Sequence, residues 1–160
     1  MGVTIYYQGK LKDEENLAEL KSFAQNFSED AGWGYDLEKN GIKIIPDEQS
    51  DPLNFIFEEL RVDDFVKTQF AGADIHIKVV ELIKELGKYF ENLEVSDEGE
   101  YWETGSLSRL LYHLNMVNNI LKEKLAKNEN LKIKVKLSDG RWLDAVDPEK
   151  DIIDEVKCEK

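Results

Sequence analysis

Apolar residues recur along this chain in two periods, and the switches between them mark out its elements. Residues 3–8 (VTIYYQ) are β-branched and aromatic and predict an opening strand. Leu17, Leu20, Phe23, Ala24 and Phe27 then repeat at helical spacing. Asp13 stands ready as N-cap, and Glu14 and Glu15 favour the positive end of the helix dipole, so a helix is predicted over about 14–29. Gly32 is placed to end it in a left-handed conformation. Two short runs follow, 35–39 and 42–46, with Asn40-Gly41 between them. Both residues tolerate positive φ, which predicts a type I′ hairpin with Gly41 at positive φ. Strands are predicted at 54–60 and 65–70, with a turn at Val62-Asp63-Asp64.

The second half returns to the helical period. Ile75, Val79, Leu82, Ile83, Leu86 and Phe90 form a stripe, giving a helix over about 75–89 with Asp74 as its cap. A short strand is expected at 93–95. Thr104 or Ser106 caps a third helix whose buried stripe would be Leu107, Leu110, Leu111, Leu114, Val117, Leu121 and Leu125. Residues 131–137 (LKIKVKL) alternate without a fault, and Asp139-Gly140 turns them toward a partner strand at 141–146. The order is β-α-β-β-β-β-α-β-α plus a C-terminal β-hairpin. It predicts an α+β fold built on an antiparallel sheet with helices on one face. In element order over residues 3–90 it resembles the TATA-binding-protein-like fold class. Residues 1–147 are read as one domain with 131–146 as an appended hairpin, and 148–160 as a charged tail, either a fraying helical turn or disordered.

Composition narrows the functions. The chain has 160 residues and a hydrophobic fraction of 41%. A domain of that size buries roughly 70% of its unfolded surface, so a core needs no disulfide or metal staple. Charge matters more. There are 34 acidic residues against 21 basic ones, a formal net charge of −13, and only Arg61, Arg109 and Arg141 are arginine. Nucleic acid and anionic membranes are bound through clustered Lys and Arg, so neither is an expected partner. Cationic partners are favoured instead. The single cysteine, Cys158, cannot form an intramolecular disulfide or a cysteine-based zinc site. No signal-peptide pattern and no apolar run of about 18 residues is present, so the expectation is a cytoplasmic protein.

Few residues invite chemistry. His76 has only Asp74 nearby in sequence, and His113 lies off the leucine stripe. Each is read as a surface or half-buried imidazole. The segment 91–103 holds six acidic residues and no basic one. Within it Asp97, Glu100 and Glu103 surround Tyr101 and Trp102, the densest candidate binding cluster. Carboxylates can serve a hard cation or acid-base hydrolysis, but neither spacing matches here, the EF-hand pattern is absent, and the cluster also reads as a solvated acidic loop. Trp102 is read as a core or interface anchor. On a strand at 65–70, Lys67 and Gln69 share a face and would line a polar site on the open side of the sheet. No phosphate-binding glycine loop, dinucleotide fingerprint or nucleophile elbow occurs, and no cofactor is expected.

Three strings, VTIYYQGKL near the start, FVKTQFAG at 65–72 and EGEYWETG at 98–105, resemble a family of small bacterial proteins without assigned activity. That resemblance covers about 1–128. It carries no site residues and implies that the closing hairpin and tail are an extension. The leading expectation is a binding or regulatory module for a basic protein partner, acting as a monomer or weak homodimer. The alternatives are a hydrolase using Asp97, Glu100 and Glu103 with His76, or a small-ligand carrier.

Overall fold

A computed structural model describes residues 3–127, 135–136 and 140–143. The chain runs β1 (Thr4–Leu11), α1 (Glu14–Ala31), β2 (Gly34–Glu38), β3 (Gly41–Ile45), β4 (Leu53–Ile56) and β5 (Arg61–Lys67). It continues through α2 (Ala73–Leu86), a 3-10 turn (Gly87–Tyr89), β6 (Phe90–Asp97), α3 (Tyr101–Thr104), α4 (Leu107–Lys127), β7 (Val135–Lys136) and β8 (Trp142–Leu143). The class is α+β and the described strand pairs are antiparallel. In place of one sheet there are two of three strands each, ordered β5-β1-β6 and β2-β3-β4. β7 and β8 form a separate pair, Val135 opposite Leu143 and Lys136 opposite Trp142. The rest of the expected 131–146 hairpin, and the tail 148–160, lie outside the described residues.

Each strand of the first sheet buries one face and shows the other. Ile5 and Tyr7 of β1 are buried, as are Val62 and Val66 of β5, while Leu93 and Val95 of β6 pack half-buried against the same core. Leu20 and Ala24 of α1 and Val79, Val80, Leu82, Ile83 and Leu86 of α2 fill that core from the other side. Tyr7 also ties the two sheets together. Its hydroxyl donates to the Asn54 carbonyl at 2.7 Å and accepts from the Asn54 N–H at 3.1 Å. Burial, then the nearby Asp64 carboxylate, hold this phenol well above its usual pKa, so it stays a donor.

The expected hairpin at 40–41 forms differently. Glu38 pairs with Gly41, so the two loop residues are Lys39 and Asn40, and neither Asn40 nor Gly41 has positive φ. Tertiary bonds override the local preference. Lys21 Nζ donates to the Glu38 carbonyl at 2.6 Å, and Asn40 exchanges bonds with Phe57: Nδ2 to its carbonyl at 2.7 Å, its N–H to the Asn40 carbonyl at 2.9 Å. Gly41 is needed for space instead. A Cβ there would stand 1.9 Å from the Phe55 carbonyl oxygen of β4.

The turn before β5 comes earlier than expected. Glu58 and Arg61 bond to each other through two N–H···O contacts of 2.9 Å, and Val62, Asp63 and Asp64 belong to β5. The central residues Glu59 (φ 50°) and Leu60 (φ 67°) both take the left-handed conformation that normally calls for Gly or Asn. Half-buried Leu60 compensates by packing on the core, and its carbonyl accepts from Leu11 N–H at 2.9 Å. Exposed Glu59 has no such compensation. Glu59→Gly is therefore expected to stabilise the fold by about 1 kcal/mol, raising the urea midpoint at unchanged slope. A lower midpoint would mean this backbone is not strained.

Two helix assignments also shift. Gly72 (φ 97°) stands at the N-cap of α2, with Asp74 inside the first turn. α4 rests on the body through a small cluster of its own, in which Leu110, Leu114 and Val117 join Val3. Leu107 and Leu111, expected in the buried stripe, are 50% and 40% exposed. The side chains of Leu121 and Leu125 lie outside the described residues.

Candidate functional site

Three polar side chains meet at one end of the first sheet. Thr68 follows β5, His76 lies in the first turns of α2, and Asp97 closes β6. Thr68 Oγ1 stands 2.6 Å from His76 Nδ1, and His76 Nε2 stands 2.9 Å from Asp97 Oδ2. All three are buried, at 0%, 0% and 5% exposure. The Asp97 carboxylate accepts further bonds from the N–H groups of Gly99 at 2.7 Å and of Tyr101 and Trp102 at 3.0 Å each. It thus acts as cap for α3 and as anion for the imidazole at once. Burial pushes this carboxyl upward. The hydrogen bond and charge of His76, with the Trp102 and Gly99 N–H groups, outweigh it and hold Asp97 below its ordinary range. With Asp97 ionised, Nε2 carries a hydrogen toward it, and Nδ1 pairs with the Thr68 hydroxyl.

Hydroxyl, imidazole and carboxylate in a row are the parts of a nucleophile, base and orienter. Here the row has no open side. Gly99 is pressed against it so closely that a Cβ would stand 3.2 Å from His76 Cε1 and 2.7 Å from Leu110 Cδ1. A reacting atom needs a position near both the nucleophile and its oxyanion donors, and that position is filled by protein. The row locks β5, α2, β6 and α3 together.

The acidic cluster does not converge. Asp97 turns inward and Glu98 outward to solvent. Glu100, at φ 59°, reaches across to α4, where Oε1 accepts from Arg109 Nη1 at 2.9 Å and Oε2 meets His113 Nε2 at 2.5 Å. The His113 hydrogen bond first, with the charges of Arg109 and His113, overcomes slight desolvation and lowers the Glu100 pKa. Glu103 folds back so that Oε1 accepts from the Asp97 N–H at 3.1 Å. Burial, then the Asp97 charge, raise its pKa. Tyr101 and Trp102 are half-buried against the main core, with Lys84 Nζ 5.3 Å from the Trp102 ring centre. Among the described residues no group of three or more His, Cys, Asp or Glu is arranged to hold a metal ion.

Lys67 and Gln69 do not share an open sheet face. β5 ends at Lys67, whose N–H donates to Asp51 Oδ2 at 3.2 Å and whose carbonyl accepts from Asp51 N–H at 3.0 Å. Gln69 lies beyond the strand, 4% exposed, with Oε1 accepting from the Val3 N–H at 2.9 Å. His76 is likewise no surface or half-buried imidazole but a fully buried one; His113 is half-buried as expected.

The open face of the first sheet is formed by other residues. Tyr6, Gln8 and Lys10 of β1 point outward between Arg61, Asp63 and Phe65 of β5 and Asn92, Glu94 and Ser96 of β6. Tyr6 is 48% exposed at the centre and stacks obliquely on Phe65 with ring centres 6.0 Å apart. Gln8 Nε2 donates to Glu94 Oε2 at 2.8 Å. Near the β5 side, Arg141 places its guanidinium 4.2 Å from the Phe65 ring centre and bonds Asp64 at 2.6 Å. No described helix is long and apolar enough to cross a membrane. Comparison of the chain with protein-family models, with curated proteins and with solved structures finds no match.

Proposed function

We propose that this protein is a binding module for a basic protein partner, engaged through the open face of its first sheet. One observation carries the reading: an exposed aromatic, Tyr6, stands on the central strand of the open face with solvated carboxylates on both neighbouring strands, Asp63 and Glu94, and with Lys10 and Arg61 at the far end of the same face. An amphipathic ring flanked by charge is the composition of an interface anchor rather than of an idle surface. Net charge −13 draws a cationic partner from a distance, and Asp63 and Glu94 select it on contact. The hydrolase reading has less support, because the Thr68–His76–Asp97 row is sealed and Asp97, Glu100 and Glu103 diverge.

The test is affinity capture from host lysate at low and high salt, with wild type beside the pair Tyr6→Ala and Asp63→Lys. Basic proteins are expected to enrich on wild type at low salt and to fall at least tenfold on the double variant. Equal capture by both proteins would sink the proposal.

A further inference from the structure

The pleat of the first sheet dictates which backbone groups remain for a partner. The Glu98 N–H donates to the Thr4 carbonyl at 3.0 Å, which makes that pair a bonded one. Registers alternate, so Ser96 and Glu94 turn their backbone groups toward β1, while Asp97, Val95 and Leu93 turn theirs away. Asp97 is provided for: its N–H donates to Glu103, and its carbonyl accepts from Glu100 N–H at 3.0 Å. Among the described residues nothing bonds the outward N–H and C=O groups of Leu93 and Val95. The opposite edge of the sheet is partly occupied. Lys67 bonds Asp51 there, the Phe65 N–H bonds Asp64 Oδ1 at 2.8 Å, and Arg61 bonds Glu58.

We infer that the outer edge of β6 accepts an extended basic segment of the partner as an added strand, its lysines alternating with apolar residues. This rests on the reading of the protein as a module for a basic partner. An added strand shares the pleat, so its side chains fall alternately on the two faces of the sheet. On the open face they meet Asn92, Glu94 and Ser96, where lysine suits Glu94. On the other face they lie beside half-buried Leu93 and Val95, where an apolar residue extends the core. β6 carries no cation, and exposed Glu91, Glu94 and Glu98 line its course. The same carboxylates oppose edge-to-edge pairing of β6 with the β6 of a second copy. Antiparallel self-pairing about the strand centre sets Glu94 against Glu94, between molecules that each carry −13.

The experiment uses the full chain and a short blocked peptide of alternating lysine and valine, with a glutamate–valine peptide as control. Amide exchange at Leu93 and Val95 is expected to slow at least tenfold on adding the lysine peptide and to stay unchanged with the control. Val95→Pro removes one outward N–H at an edge position that tolerates proline. It should weaken peptide binding at least tenfold while far-ultraviolet circular dichroism is retained. If that variant does not fold, the exchange data on wild type decide alone. Unchanged exchange at both amides, or slowing instead at Tyr35 and Leu37 of β2, would overturn the inference. A dimer seen by light scattering and lost in Val95→Pro would overturn the basic strand in favour of a second copy. Lysate capture that depends on Tyr6 and Asp63, without protection at Leu93 and Val95, removes the added strand but leaves the module intact. Loss of that capture difference removes the module itself.

Discussion

Asp97→Ala is expected to lower stability by about 3–5 kcal/mol in urea unfolding, the range for breaking a buried ion pair or network by removing one partner. The side chain serves four donors at once: the His76 ring and the N–H groups of Gly99, Tyr101 and Trp102. Alanine leaves all four without that acceptor, two of them, the His76 ring and the Gly99 N–H, in buried positions. Thr68→Val keeps the shape and strands only His76 Nδ1, so about 1–3 kcal/mol is expected there. A loss under about 1 kcal/mol for Asp97→Ala would mean the row does not hold the fold. Acid has the same target. The folded Asp97 carboxyl titrates below its unfolded value of about 3.9. Its contribution is therefore complete above that value and drains away as pH falls through the lower folded one. Glu103 runs the other way. Its folded pKa is raised, so its contribution is present below its unfolded value of about 4.3 and is lost as pH rises through the folded one. Acid unfolding of wild type should accordingly be steeper below about pH 4 than that of Asp97→Asn.

Gly41→Ala is expected to cost about 3 kcal/mol, at the upper end for overpacking. The new methyl would stand 1.9 Å from the Phe55 carbonyl oxygen and 2.8 Å from Ile56 Cα. Both obstacles are backbone of the paired strand, so no side chain can swing aside, and β3 must part from β4. The φ of Gly41 is ordinary, so Ala would meet no torsional strain here. A thermal midpoint within about 2 °C of wild type would show that the strands separate easily.

Why much of the fold could be read and the site could not comes down to which faces carry polar residues. The stripe Leu17, Leu20, Ala24 and the alternation in β1 are apolar signals and led directly to elements. Glu59-Leu60 gave no signal, because neither residue prefers the left-handed conformation it adopts; a buried leucine and neighbouring strands impose it. Asn40-Gly41 gave a strong signal for the wrong reason, since the glycine answers to β4 rather than to the turn. The Thr68–His76–Asp97 row was written in the same periodicity that placed the core. Thr68 shares parity with buried Val66, Asp97 with Val95, and His76 lies three residues before Val79. Each is a polar residue on an inward position, and such residues require partners. Their mutual contact, across separations of 8 and 21 residues, follows only from the tertiary structure.

The central place of β1 bears on the order in which the molecule can be built. Ile5 pairs on one side with Val66 and on the other with Asp97, so β1 is flanked by two strands that are synthesised much later than it is. On the ribosome it has neither neighbour until β5 emerges, whereas α1 and the β2–β3 hairpin close on local contacts. Loop closure over such spans comes before its reward, which makes this sheet the slow element of folding. Until β6 arrives, the even-numbered backbone groups of β1 present an unpaired edge, and that interval is when the nascent chain is most open to mispairing with another strand.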